Sequence, residues 1–103
     1  MNFLNLYYFM VTAEENNITR AAKRLYISQQ SLSNHIAKLE KYFGVQLFER
    51  GAALTLTYAG KRLLEAAGQM LDLRRQIISE MDDIRGQKRG ELQVDFVRFG
   101  DAA

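Results

Sequence analysis

Apolar residues recur at helical spacing in several stretches of this chain, and each stretch ends at a short polar or glycine-containing break. The spacing is clearest between residues 28 and 43. There, four apolar residues follow one another at steps of four, three and four: Leu32, Ile36, Leu39 and Phe43. Steps of this kind place side chains on one side of a helix. We therefore predict a helix over residues 28–43 with a single buried face.

A shorter helix is predicted immediately before it, over residues 20–25, with Thr19 as its N-terminal cap. Residues 26–28 then form a short break between the two helices. Ser28 ends this break, and its hydroxyl can accept the free backbone N–H groups of the next helix. Two helices joined by such a short turn have the layout of a helix-turn-helix.

The polar face of the second helix carries two amides and two lysines: Gln30, Asn34, Lys38 and Lys41. Side-chain amides can form paired hydrogen bonds with base edges, and lysines can neutralise phosphates. This face is therefore the part of the chain where function is to be sought. The alternative is an ordinary solvated surface, because short motifs of this kind also arise by chance.

Two further patterns complete a small domain around these helices. Upstream, apolar residues at helical spacing predict a first helix over residues 3–15. Downstream, Gly44 stands where a left-handed helix stop favours glycine. Apolar-polar alternation then predicts strands over residues 45–50 and 54–57, joined by the small residues 51–53. The predicted fold is mainly α, a winged helix-turn-helix with three helices and a two-stranded wing.

A long helix is predicted over residues 58–86, with Thr57 as its cap. At about 1.5 Å per residue its length would be about 40 Å, which is more than so small a domain can cover. A second copy of the same helix is the simplest partner for the surplus apolar surface, so we expect a dimerisation helix. The residues expected at that interface are Leu63, Leu64, Ala67, Met70, Leu71, Ile77, Ile78 and Met81.

The end of the chain has the pattern of a hinge followed by a single strand. Residues 86–90 are polar and bounded by glycines, and residues 91–97 alternate like a strand. A strand without a partner is not a domain, so we interpret it as the first strand of a missing domain, with the final residues partly disordered. The predicted division is a winged domain over residues 1–57, a linker helix over 58–86, and this hinge and strand over 87–103.

Composition narrows the chemistry without identifying it. The chain has no cysteine and one histidine, so a thiolate metal site is excluded, and no metal or cofactor is expected. The apolar run over residues 4–11 is too short to cross a membrane. Ser31 and His35 lie four residues apart without an orienting acid on their face, so no enzymatic activity is expected. We expect a soluble, cytoplasmic protein that does not associate with membranes.

Charge adds little by itself. The net charge is +2, and residues 1–60 contain six Lys or Arg against four Asp or Glu. An excess of this size is common among unrelated proteins and does not indicate nucleic-acid binding alone.

Several motifs, taken together in their order and spacing, resemble the N-terminal DNA-binding region of LysR-type bacterial transcriptional regulators. The resemblance covers about residues 2–97. The segments that carry it most clearly are Thr19-Arg20-Ala21-Ala22, Ile27-Ser28-Gln29, Leu32-Ser33, Leu39-Glu40, Gly44-Val45, Leu47-Phe48-Glu49-Arg50 and Leu56-Thr57-Tyr58-Ala59-Gly60.

This resemblance implies a winged helix-turn-helix whose linker helix pairs two subunits. It also implies a C-terminal ligand-sensing domain, of which this chain contains only what looks like the opening strand. A small-molecule effector would bind only through that absent domain. A full-length form could also assemble beyond the dimer.

The resemblance places the base-reading residues at the start of the recognition helix, on Gln29, Gln30, Ser33 and Asn34. Two of these depart from the family pattern, which commonly has proline at the position of Gln30 and arginine at that of Asn34. Arginine pairs with guanine, whereas asparagine suits adenine, so the preferred base should differ. The family also places basic residues in the wing tip. Here the tip has none, and Arg50 is the only cation of the wing, so we expect weak contact from the wing.

The function expected from these features is sequence-specific binding of double-stranded DNA for transcription regulation. A homodimer would bind an inverted-repeat operator, with the helix over residues 28–43 in the major groove. The alternative is a protein-interaction module that pairs through the long helix without reading DNA. The residues expected to contact the DNA backbone are Thr19, Arg20, Lys23, Ser28, Ser31, Lys38 and Arg50.

Overall fold

The computed structural model describes residues 1–90, with side chains through residue 86. The chain divides into two units, Met1–Leu71 and Asp72–Ala103. The elements in chain order are α1 (Phe3–Glu15), α2 (Ile18–Leu25), α3 (Gln29–Phe43), β1 (Phe48–Arg50), β2 (Leu54–Leu56) and α4 (Tyr58–Gly90). These elements confirm the predicted fold class, a winged helix-turn-helix with a long C-terminal helix.

The core of the first unit joins the three short helices to the wing. Three of the four residues in the apolar stripe predicted for α3 are buried, namely Leu32, Ile36 and Leu39, whereas Phe43 at the end of the helix is 40% exposed. The rings of Phe9 on α1 and Phe48 on β1 lie 5.5 Å apart between centroids, so the wing packs onto the same core as the helices. This burial fixes which face of α3 remains exposed.

The start of α2 differs from the prediction, because Asn17 rather than Thr19 caps the helix. The Oδ1 atom of Asn17 accepts a hydrogen bond from the backbone N–H of Arg20 at 2.8 Å, and the helix begins at Ile18. Asn16 ends α1 in the left-handed conformation, with φ 54°. Asn17 then adopts the extended backbone that a cap requires. Thr19 is consequently an exposed residue of the first turn.

The limits of α3 agree with the prediction. The hydroxyl of Ser28 accepts a hydrogen bond from the backbone N–H of Ser31 at 3.0 Å, as expected for a cap. At the other end, Gly44 has φ 71° and its N–H donates to the carbonyl of Glu40. Glycine adopts this left-handed conformation without steric cost, so the helix can end there.

The wing is an antiparallel pair in which Phe48 is opposite Leu56 and Arg50 is opposite Leu54. Its first strand is shorter than predicted, because β1 begins at Phe48 rather than at residue 45. The backbone N–H of Leu47 donates to the carboxylate of Glu40 at 2.8 Å. Its carbonyl accepts from the N–H of Thr57 at 3.0 Å. The carbonyl of Leu47 therefore still bonds across the hairpin to Thr57, the next residue opposite it, whereas its N–H is taken by Glu40 of α3.

The predicted cap of α4 is confirmed. The hydroxyl of Thr57 accepts from the backbone N–H of Gly60 at 3.0 Å and donates to the carbonyl of Gln46 at 2.7 Å. The helix continues to Gly90, so residues 86–90 are helical and do not form the predicted linker. An Arg85–Asp82 ion pair stabilises the turn before the expected stop. The predicted strand over residues 91–97 lies outside the described residues.

None of the helices within residues 1–90 combines the length and hydropathy needed to cross a membrane.

Tyr26 adopts an unfavourable backbone conformation in the turn between α2 and α3. Its φ is 59°, in the left-handed region, and 95% of its surface is exposed. A bulky residue in this region costs about 1 kcal/mol, whereas asparagine tolerates it better. We expect Tyr26→Asn to raise the free energy of unfolding by about 0.5–1 kcal/mol, measured by urea denaturation.

The control for this substitution is Tyr42→Asn, which changes an exposed tyrosine within the regular helix α3. It should give no gain, because asparagine forms helices no better than tyrosine. Equal stabilisation by both substitutions would mean that the backbone of Tyr26 is not the cause.

Candidate nucleic-acid interface

The exposed face of α3 is opposite its buried stripe. Gln30, Asn34 and Lys38 succeed one another at steps of four, and all three side chains are exposed. Residues four apart are neighbours on a helix, so they form one continuous row. The amide of Asn34 makes no hydrogen bond with any described residue, and its donors and acceptor remain available. This row can present hydrogen-bonding groups to a surface that runs along the helix.

The other two predicted base-reading residues have different surroundings. Gln29 is the first residue of α3 and is exposed. Ser33 is half-buried and lies beside the wing, where it lines a cleft together with Arg50. The structure therefore places Gln29, Gln30 and Asn34 on open surface, and Ser33 beside them on the half-buried edge that faces the wing.

The predicted backbone-contacting residues lie on three elements. Thr19, Arg20 and Lys23 are exposed on α2, Lys38 is exposed on α3, and Arg50 is exposed on β1. Ser28 is exposed and caps α3, while Ser31 is half-buried in the first turn. Within the described part of the chain, no ion pair involves Lys23, Lys38 or Arg50.

Arg20 belongs to a cluster of ion pairs that the sequence analysis did not identify. Its Nε atom lies 3.4 Å from a carboxylate oxygen of Glu15, and Nη2 donates to the Glu15 carbonyl at 2.8 Å. Arg24 pairs with Glu14 at 2.8 Å and with Glu15 at 3.1 Å. The hydrogen bonds that Arg24 donates to the carboxylates of Glu14 and then Glu15 raise its pKa above the usual value. Both arginines are thereby held against the end of α1.

His35 also has partners that the sequence analysis did not identify. Its Nδ1 atom lies 2.7 Å from the side-chain nitrogen Nδ2 of Asn5. Its ring also meets the ring of Tyr8 edge-on, with 4.7 Å between the ring centroids. Asn5 is buried on α1, where a polar residue within an apolar run was the available signal. These contacts join α3 to α1 and thereby help to fix the orientation of α3 in the domain.

The predicted dimerisation residues separate into two groups. Leu63 and Leu64 pack against the core of the first unit, and Ala67 is completely buried there, so Ala67 has no surface left for a partner. Met70 and Leu71 are half-buried. In the second unit, by contrast, the predicted residues Ile77, Ile78 and Met81 are exposed, and so are Leu73 and Ile84, which were not among the predicted residues.

No group of three or more His, Asp or Glu side chains able to hold a metal ion occurs among the residues that the structure describes.

Comparison with known proteins identifies the family. The family model described as "Bacterial regulatory helix-turn-helix protein, lysR family" matches residues 3–61. The HTH-type transcriptional regulator TfdS of Cupriavidus pinatubonensis is 44% identical to this chain over 99% of its length. The match covers 34% of TfdS, so the chain spans about a third of the length of that relative.

Solved structures give the same result. The BenM_DBD/benA site 1 DNA complex superposes with a TM-score of 0.80 at 35% identity, over 82% of this chain and 97% of that one. Full-length CbnR complexed with its target DNA gives a TM-score of 0.77 at 36% identity, over 82% of this chain and 30% of CbnR. With the matched family model covering more than half of its residues, this chain belongs to the lysR family of bacterial regulatory helix-turn-helix proteins.

Proposed function

We propose that this chain binds double-stranded DNA sequence-specifically and that the protein containing it regulates transcription. The observation that carries the proposal is the exposed row of Gln30, Asn34 and Lys38 on a helix whose opposite face is buried. A helix fits the major groove of B-DNA, where amides can distinguish base pairs and a lysine can contact phosphate. Two family members with the same fold have been solved bound to DNA, which supports the same use of α3 here.

The base-reading residues in this proposal are Gln29, Gln30, Ser33 and Asn34. Backbone contacts come from Thr19, Arg20, Lys23, Ser28, Ser31, Lys38 and Arg50. The cations among them lie on three different elements, α2, α3 and β1. Phosphate contacts from several elements would fix the register of the helix in the groove.

We further propose that the chain acts as a homodimer through α4. Leu73, Ile77, Ile78, Met81 and Ile84 recur at steps of four, one, three and three, which places them along one stripe of the helix. Such a stripe is a pairing surface for a second helix. A twofold dimer requires an inverted-repeat operator. An effector would act through a C-terminal domain that lies outside this chain, and a regulator of bacterial genes would work in the cytoplasm.

The test is to measure binding to a random duplex and to a selected duplex across a salt series. Each phosphate neutralised contributes about 0.9 to the slope of log affinity against log salt. If the four candidate cations Arg20, Lys23, Lys38 and Arg50 each contact a different phosphate in both subunits, the slope would be about −7, and any shared phosphate would make it smaller in magnitude. We expect a steep negative slope for both duplexes, and tighter binding to the selected one.

Selection from a random DNA pool supplies the second measurement. We expect it to return an inverted repeat, since each subunit would read one half-site. A flat salt response would overturn the DNA-binding proposal and favour a module that pairs with another protein through α4. Selection of a single, unrepeated site would contradict the dimer.

A further inference from the structure

A cleft of about 490 Å³ lies between the start of α2, Ser33 of α3 and the tip of the wing. We call it the wing cleft; its lining includes Asn16, Arg20, Ser33, Arg50 and the small residues 51–53. All of these residues belong to the first unit. The cleft is the place where the recognition helix, the preceding helix and the wing meet.

The charge of the wing cleft favours an anion. Two arginines line it, and none of its lining residues is acidic. The other polar side chains that line it are those of Asn16, Asn17 and Ser33, which can donate hydrogen bonds. Both guanidinium groups are always charged, and within the described residues only that of Arg20 has an ion-pair partner, Glu15.

Glu15 orients the side chain of Arg20 but contacts only some of its hydrogen-bond donors. The Nε and Nη2 atoms of Arg20 face the carboxylate and the carbonyl of Glu15. Nη1 has no partner among the described residues, so both of its N–H groups remain available. Glu15 therefore holds one edge of the guanidinium and leaves donors for an external acceptor.

Arg50 lines the same cleft from the wing, and its side chain has no ion pair within the described residues. The adjacent wing tip is Gly51-Ala52-Ala53. None of these three residues has a charged or hydrogen-bonding side chain. The uncharged tip, which in the sequence suggested a weak wing, thus leaves room beside Arg50 for a ligand.

We propose that the wing cleft binds one phosphate of the DNA backbone, held by Arg20 on one side and Arg50 on the other. Guanidinium groups bind phosphate through paired hydrogen bonds, and two of them can share its oxygens. The hydroxyl of Ser33 lines the same cleft, so this inference moves Ser33 from base reading to phosphate contact. This inference rests on the proposed DNA binding and adds to it that two arginines on different elements contact one phosphate.

The first experiment measures the salt slope for Arg20→Gln, Arg50→Gln and the double variant on a selected duplex. If one phosphate is shared, either arginine alone still neutralises it. Each single variant should then change the slope by less than about half a unit per subunit, and the double variant by about 0.9. Arginines that contact two different phosphates would instead give about 0.9 each and about 1.8 together, which would overturn the inference.

The second experiment maps the phosphate directly by ethylation interference. In the unmodified protein, ethylation of one phosphate per half-site should weaken binding. Both single variants should become less sensitive to ethylation at that same position. If the two variants lose sensitivity at different phosphates, the shared site is wrong. This readout does not depend on stability, which matters because Arg20 also pairs with Glu15.

Lys23→Gln is the matched control, since Lys23 lies on α2 but does not line the wing cleft. Its effect on affinity should add to that of Arg50→Gln, whereas the two arginine substitutions should be non-additive.

Inorganic phosphate at constant ionic strength should not compete with DNA, and competition would mean a free-anion site. Failure of the unmodified protein to bind any DNA would refute the proposed function itself, whereas normal binding with additive arginine effects would refute only this inference.

Discussion

Substitution of Gly60 by alanine is expected to lower the free energy of unfolding of the first unit by about 3 kcal/mol. A Cβ atom on residue 60 would lie 2.1 Å from the carbonyl oxygen of Leu47 and 2.9 Å from Cδ2 of Leu56. A backbone oxygen cannot rotate away as the end of a side chain can. Either α4 or the segment before β1 must therefore move.

The hydrogen bonds around this contact make such a movement costly. The N–H of Thr57 donates to the same Leu47 carbonyl at 3.0 Å. The hydroxyl of Thr57 joins Gly60 to Gln46 through bonds of 3.0 and 2.7 Å. Displacing α4 by the required distance would break at least part of this network. Leaving its donors and acceptors unpaired adds to the steric cost.

Gly68→Ala provides the matched control, because a Cβ at Gly68 would meet nothing within 4 Å. Gly68 lies in the same helix, so alanine should increase stability there by about 1 kcal/mol through helix propensity. Urea denaturation of both variants, followed by circular dichroism, gives the comparison. Equal effects of the two substitutions would show that α4 does not need its close approach to Leu47.

A consequence for function follows from the position of Gly60. Leu47 directly precedes β1, whose last residue is Arg50. Movement of Leu47 would therefore displace the wing relative to α3, even at temperatures where Gly60→Ala remains folded. The wing cleft would lose its geometry while the exposed row of α3 kept its own.

Periodicity in the sequence was enough to predict the helices and the wing. The buried stripe of Leu32, Ile36 and Leu39 is a local property, since helical spacing alone determines which side chains share a face. The caps at Ser28 and Thr57 are also local features, because each residue lies directly before the helix that it caps.

The details that the sequence did not predict depend on contacts between distant residues. The carboxylate of Glu40 binds the backbone of Leu47 and shortens β1, and nothing in the alternation of residues 45–50 indicates this. At the start of α2, Asn17 and Thr19 are both good caps. Only the left-handed turn at Asn16 decides between them.

The candidate site shows the same division. The exposed face of α3 follows from the burial of the opposite face, and the sequence predicted it. The position of Ser33 beside Arg50, by contrast, depends on how the wing packs on the helices. The burial of Ala67 likewise depends on tertiary packing, because an apolar stripe does not specify whether it faces its own domain or a partner.

Asn34→Ala is expected to remove the preference for one base pair in each half-site. The Asn34 side chain is exposed and has no partner among the described residues, so its amide can pair with the N6 and N7 atoms of adenine. Loss of that pair should weaken binding to the selected duplex by about 1–3 kcal/mol. Duplexes that already carry another base at this position should bind almost as before. Stability should change little, since the side chain is exposed.

Two further variants separate base reading from phosphate contact. Asn34→Arg should shift the preference at the same position to guanine, because a guanidinium pairs with its O6 and N7 atoms. Lys38→Ala, in the same row of α3, should weaken all duplexes equally and reduce the salt slope by about 0.9 per subunit. Binding to a panel of duplexes that vary at each position of one half-site measures the base preferences, and repeating it across a salt series measures the slope. Uniform weakening by Asn34→Ala would mean that its amide contacts the DNA backbone. Any difference in base preference from the family pattern would then have to arise from Gln30.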